Sequence, residues 1–328
     1  MGRYIIRRLL ITIPIIIAVV ILVFTLLYFT PGDPAVMILG SSASTEELDA
    51  YREYLGVDQP YIVQLGNYLY QLFIKLDLGE SWVYRTNIST EIANRMPYTA
   101  TICVFSVLVG ALIGIPLGVT AAVHQDGIAD KIVLVLSSVL NCIPNFCIAL
   151  FLIVVFALNL GWLPAYGTSE GIRSYILPCV SIMIGGFSGI ARQMRSSMLE
   201  VIRSDYVTSA RAQGFSRNSV YFRHALPNAL IPIITILGTQ FAAGLGGTLI
   251  LETIFSIPGL GLYVQGSISK RDTPAVLGCV VFLSILFCLI MLGIDLVYAL
   301  VDPRIRAQYE ESGKRHHRRH GRKERAEA

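Results

Sequence analysis

Long apolar stretches alternate with shorter polar ones along this chain, and their lengths are the first clue to its architecture. A helix needs about 20 apolar residues to cross the hydrocarbon core of a bilayer. Six stretches meet or approach that length: 9–29, 99–123, 132–158, 174–194, 229–251 and 275–300. The fourth is the weakest, because its cleanest part, 176–191, is short and contains Gly185, Gly186 and Gly189. The first is uncharged over residues 9–29, longer than the apolar core of a signal peptide, and no small-residue cleavage pattern follows it. It therefore predicts a retained transmembrane helix.

The polar stretches carry their own patterns. Ser44 and Glu47 have the spacing of a capping box and predict a helix start. In 61–78, Ile62, Leu65, Leu69, Leu72, Phe73 and Leu76 recur at helical spacing, opposed by Gln64, Asn67, Gln71 and Lys75. That is the pattern of an amphipathic helix lying on the membrane surface or against a span.

Composition agrees with a membrane chain. Apolar types make up 54% of the 328 residues and charged types 15%, against about a quarter in soluble domains. The net charge is only +4, so its distribution matters more than its size. Six spans put both termini on one side. The N-terminal tip, 123–131, 192–228 and the C-terminal tail hold 19 of the 26 Lys and Arg residues, and the opposite-face segments 31–98, 159–173 and 252–274 hold 7. This asymmetry predicts cytoplasmic termini. The chain thus divides into a tip and first span (1–30), an outward segment with amphipathic helices (31–98), a core of five further spans (99–300) and a basic cytoplasmic tail (301–328).

Within the spans, Gly110, Gly114 and Gly118 form a small-residue ridge around Pro116. Such spacing lets helices approach closely, and Pro116 offers a hinge as the other reading. The glycines and Pro258 of 244–261 predict an irregular, tightly turned segment at the outer mouth. Asp295 is the clear acid inside a span, either a functional group or a structural one balanced by Arg304 and Arg306 nearby in sequence. The six cysteines all fall in apolar runs and are expected to be small buried hydrophobes rather than disulfides or metal ligands. No phosphate-binding P-loop, zinc-protease or serine-hydrolase motif occurs. His316, His317 and His320 are interleaved with Arg and Lys, which disfavours a metal cation and suits contact with anionic lipid.

One polar interruption stands out: YVTSARAQGFSRNSVYFRHALPNALIP, residues 206–232. Arg203, Arg211, Arg217 and Arg223 would cost on the order of 10 kcal/mol at mid-bilayer, so this segment is not a span. Leu199, Ile202, Tyr206 and Ala210 share one helical face, while Ser204, Thr208 and Arg211 lie mostly on the other. Gly214 can take the left-handed conformation that ends a helix. Ser216 can cap a second helix, and Pro227 either stops that helix or begins the next span. The prediction is a rigid helix–turn–helix elbow at 200–227, on the cytoplasmic side, shaped to dock in a groove of a soluble partner.

The spacing from Gly214 through His224 to Leu226-Pro227 resembles the EAA loop of ABC-importer permeases, E-A-A-x-x-x-G-x(9)-I-x-L-P. Thr208, Ser209 and Ala210 occupy the E-A-A positions and His224 replaces the Ile. The segments TPGDPAVMILG, LGVDQPYIVQLGNYL, DYVTSARAQG, RHALPNALIPIITILG, GGTLILETIFSIPGLG and VDPRIR also resemble the peptide/nickel-type permeases, in the order of their dipeptide and oligopeptide B-type subunit. The resemblance covers nearly the whole chain except the tail beyond about residue 307.

It implies an all-α polytopic membrane protein with the type I ABC importer permease fold, in a bacterial or archaeal cytoplasmic membrane. It also implies a second, similar permease subunit, two cytoplasmic ATPase subunits that bind ATP and Mg, and an extracytoplasmic solute-binding protein. The chain itself would bind no cofactor and catalyse no reaction. Dipeptides or oligopeptides are the first cargo it suggests, and nickel or a metal chelate the second. An ion-coupled secondary transporter would need paired ionisable groups at mid-membrane, and a membrane-embedded enzyme would need a nucleophile–base or metal set. The sequence shows neither clearly.

Overall fold

The computed structural model describes residues 2–301, with side chains over 5–297. Met1 and the basic tail, with Arg304, Arg306, His316, His317 and His320, lie outside the described residues. Regular structure among the described residues is helical, apart from one isolated bridge between Glu80 and Asn87.

The first long helix, α1 (Gly2–Phe29), ends before Pro31-Gly32. Three outer helices follow: α2 (Pro34–Leu39), α3 (Thr45–Leu55) and α4 (Tyr61–Phe73). Their ends follow local chemistry. The Asp33 side chain accepts a hydrogen bond from the Ala35 N–H, with Pro34 as first helical residue. Ser44 and Glu47 form the expected capping box. Gly56 closes α3 in the left-handed conformation, with φ +68°. Leu65, Leu69, Leu72 and Phe73 of α4 pack on Ile16 and Val20 of α1 and on Val281. Ile62 and Leu76, at the ends of the expected stripe, stay exposed.

The helix α5 (Ile88–Val123) runs 36 residues, starting earlier than the apolar pattern suggested because Asn87 caps it. The next expected span, 132–158, is not one rod. It is α6 (Ile128–Cys142) and α7 (Asn145–Asn159), bent 93° apart. Pro144 has no N–H to donate and disfavours a helical Ile143, which is extended at φ −87° and ψ 122°. Beyond it, α8 (Arg173–Ile202) continues eight residues past the expected end at 194.

The elbow consists of α9 (Asp205–Ala212) and α10 (Arg217–Ala229). From α10 the chain turns 47° into α11 (Ile231–Gly247), just ahead of Pro232. Two short helices, α12 (Leu249–Ile254) and α13 (Leu260–Ser269), and the long α14 (Thr273–Val301) complete the described chain. Four helices, α1, α5, α8 and α14, are each long and apolar enough to cross a membrane, and the two bent pairs raise the number to six where each pair is one span.

The centre of the molecule is the α5–α8 contact. A Cβ on Gly118 would lie 2.5 Å from the Ala191 carbonyl oxygen and 2.6 Å from Met194 Cβ. One on Gly114 would lie 2.8 Å from the Phe187 carbonyl oxygen, and one on Gly110 would sit 3.6 Å from the Phe187 nitrogen. Backbone-to-backbone approach of this kind is what small residues permit.

The expected turn at 244–261 is built around a buried acid. Glu252 accepts from the Thr99 hydroxyl at 2.7 Å and from the Leu262 N–H at 3.1 Å, while Thr99 Oγ1 accepts from the Leu260 N–H at 2.9 Å. A Cβ at Gly259 would collide with that carboxylate. A second buried acid, Asp272, ties the outer segment to the core. It accepts from the Ser81 hydroxyl at 2.5 Å and from the Trp82 N–H at 3.0 Å.

Asp295 pairs with Arg8 at 2.7 Å, a contact between α14 and α1, while Arg304 and Arg306 lie outside the described residues. One further expectation changes. Cys103, Cys179 and Cys279 are buried and Cys288 half-buried, but Cys142 and Cys147 are exposed on either side of the 93° break. The break turns that stretch away from the packed core.

Candidate functional site

The elbow is fixed to the transmembrane core on one side and open on the other. The expected continuous face through Leu199, Ile202, Tyr206 and Ala210 is interrupted, because α8 ends at Ile202 and α9 restarts at Asp205. Ser204 is extended at the new N-terminus, but its hydroxyl donates back to the Val201 carbonyl instead of capping. The restart rotates the register. Val207 and Ala210 become the buried residues of α9, and Tyr206 is exposed.

Val207 and Ala210 join one apolar cluster with Val220, Tyr221, Ala225 and Ala229 of α10. The same cluster includes Val119 and Ala122 of α5 and Ile190, Met194 and Met198 of α8. The elbow therefore packs directly against the two longest helices.

The turn itself is a Schellman motif. Gly214 has φ +85°, its N–H donates to the Arg211 carbonyl at 3.0 Å, and the Phe215 N–H donates to the Ala210 carbonyl at 3.4 Å. The Ser216 side chain then accepts from the Ser219 N–H and starts α10. Contacts across the turn hold its angle. The Phe215 and His224 rings lie 5.1 Å apart. Arg211 and Arg217 both stand over the Tyr221 ring, at 5.9 and 5.6 Å, and Arg217 Nε donates to the Tyr221 hydroxyl at 3.1 Å. Asn228 donates to the Tyr206 hydroxyl at 2.8 Å.

The residues singled out by the sequence divide between the two sides. Ala210 is in the apolar cluster and Leu226 packs against it, half-buried. His224 is half-buried, and its Nε2 has no hydrogen-bond partner. It fills an apolar position with an imidazole ring. Thr208, Ser209, Gly214 and Pro227 are exposed. The Thr208 and Ser209 hydroxyls donate back to carbonyls one turn earlier. Sequence reasoning missed the aromatic part of that surface. Phe215 and Phe222 are 48% and 57% exposed, set among Arg211, Arg217 and Arg223. Both lie within the stretch already marked as basic, and two aromatics in an otherwise polar segment were the available signal.

A charge pair braces the base of the elbow. Arg195 of α8 donates two hydrogen bonds to Asp130 of α6, at 2.5 and 2.7 Å, with Asp130 fully buried. Arg203, at the break between α8 and α9, donates to the Gln125 side chain at 3.3 Å. Among the described residues no group of three His, Cys, Asp or Glu side chains converges on one point.

Comparison with known proteins places this geometry. Residues 114–307 match the binding-protein-dependent transport system inner membrane component family, and residues 1–103 match the N-terminal region of such membrane components. The chain belongs to this family. The permease is 37% identical over 313 residues to a putative peptide transport system permease protein of Brucella abortus (strain 2308), covering 93% of this chain and 99% of that one. It is 37% identical over 306 residues to the glutathione transport system permease protein GsiC of Salmonella choleraesuis (strain SC-B67), with the same coverage.

A solved structure of the MetNI methionine ABC transporter in an inward-facing conformation shares the fold. It matches with a TM-score of 0.53 at 20% identity, over 64% of this chain and 96% of that one. The permease is accordingly a multi-pass membrane protein and the translocation subunit of a binding-protein-dependent ABC importer.

Proposed function

We propose that the permease carries dipeptides or oligopeptides inward across a bacterial or archaeal cytoplasmic membrane, in six spans with both termini in the cytoplasm. A second, similar permease completes the pathway, and a cytoplasmic ATPase grips each elbow. ATP and Mg bind the ATPases and not this chain. An outer binding protein delivers cargo near 31–98 and 252–274. The observation that carries this reading is the two-sided elbow. Its buried face is continuous with α5 and α8, and its open face offers Phe215, Phe222 and three arginines around a rigid turn at Gly214. Such a part converts a push from a soluble neighbour into movement of the membrane helices. The 37% identity to a peptide permease supports the cargo class.

The test is reconstitution of the permease with its neighbouring permease, ATPases and binding protein in proteoliposomes. Labelled dipeptide should accumulate inside only when ATP is available to the ATPases. Accumulation driven by an ion gradient without ATP would overturn the reading, and uptake of Ni²⁺ with no peptide uptake would replace the cargo.

A further inference from the structure

The faces that the rest of the chain leaves uncovered are of two kinds. On α5 and α6 they are mostly apolar, led by Leu108 and Leu112, and Val135 and Val139, all more than half exposed. Those faces suit lipid tails. On α8 and α11 they are small and polar. Gly186, Gly189 and Gln193 are half-buried along one side of α8, and Ser196 continues the line, exposed. On α11 the half-buried Gln240 is followed by the exposed Ala243 and Gly247 at helical spacing.

The two lines meet. Gln240 Nε2 donates to the Gly186 carbonyl at 3.2 Å, and a Cβ on Gly189 would lie 3.3 Å from the same nitrogen. Asn145, at the 93° break between α6 and α7, aims its Oδ1 at Gly185, 2.9 Å from where a Cβ would stand. These residues fall at the centre of the 30-residue α8, the level that reaches mid-bilayer when such a helix crosses. Two features there are costly against lipid: carboxamides, one half-buried and one exposed, and a helix end whose last carbonyls have no intrahelical partners. Both are tolerated where they line a hydrated passage.

We infer that the open faces of α8 and α11 are this subunit's wall of the cargo pathway, and that Gln240 and Asn145 form a mid-membrane station that hydrogen-bonds the amide groups of a peptide cargo. This rests on the importer reading above and deepens it. A carboxamide both donates and accepts, as a peptide group does, so it can pair with the backbone of any peptide whatever its side chains. The missing side chains at Gly185, Gly186 and Gly189 leave room for the two carboxamides against α8. Gln240 and Asn145 are assigned to specificity and passage, since neither belongs to the elbow or to the apolar cluster that holds it.

Two measurements on the full reconstituted complex test this. In a background with Cys142 and Cys147 replaced by Ser, a small water-soluble thiol reagent should modify Ala243→Cys during turnover, and leave Leu112→Cys and Val135→Cys unmodified. Equal modification of all three, or of none, overturns the pathway assignment whatever the cargo. Second, Gln240→Leu should lower peptide uptake about tenfold, the net weight of one hydrogen bond, while binding-protein-stimulated ATP hydrolysis stays unchanged. Gln240→Asn should recover much of the uptake. Unchanged uptake in Gln240→Leu, or uptake and hydrolysis falling together as for a structural defect, overturns the station alone. An unsubstituted complex that hydrolyses ATP and carries no peptide overturns the peptide reading and the station together.

Discussion

At the scale of single residues, Gly214 carries the sharpest consequence. Its φ of +85° belongs to the region where a side chain branched at Cβ is strained, at about 1–2 kcal/mol or more. A Cβ there meets nothing within 4 Å, so the objection is conformational and not steric crowding. Gly214→Val should therefore insert into the membrane normally but lose ATP-coupled uptake more than tenfold, because the turn relaxes and the Phe215–His224 contact across it opens. Gly214→Asn, which tolerates the left-handed region, should keep most of the activity. Uptake and stimulated ATP hydrolysis in reconstituted complexes read both outcomes. This turn was legible beforehand because a helix end and its glycine are local chemistry. The Asp295–Arg8 pair was not: Arg8 lies 287 positions away and is brought near only by the packing of α1 on α14.

Among the elements, the α5–α8 contact shows what a spacing can and cannot say. Three glycines four apart announce a close approach, but not the partner helix. The structure supplies α8, whose Ala191 and Met194 leave no room for a Cβ at Gly118. Gly118→Ala should destabilise the permease by about 1–3 kcal/mol, the usual cost of overpacking a tight contact. Gly66→Ala, in α4 with nothing within 4 Å of the added Cβ, should be neutral or stabilise by up to about 1 kcal/mol. Thermal unfolding midpoints in detergent would separate the two. The break between α6 and α7 is the opposite lesson. The apolar run continues across Pro144, so hydropathy reads one span, and only the backbone shows two rods 93° apart.

For the whole molecule, the question is how the outer segment is held to the spans. Asp272 does much of this, receiving the Ser81 hydroxyl and the Trp82 N–H in a fully buried site. Hydrogen bonds to a charged group are worth about 1.5–3 kcal/mol each. Asp272→Ala should free the 77–87 loop, seen as faster proteolysis there from the outer face, with the α5–α8 contact intact. By itself the sequence determined the membrane class, the number of apolar stretches, the capping box at Ser44 and the elbow with its glycine turn. Each of those follows from the properties of neighbouring residues or from the total apolar length that a bilayer demands. Only the tertiary structure decided the rest: which acids are buried and by what they are satisfied, where the third stretch breaks, and which uncovered faces are polar. Those depend on residues far apart in the chain meeting, and a side chain's surroundings are set by the helix packed against it, which local pattern does not name.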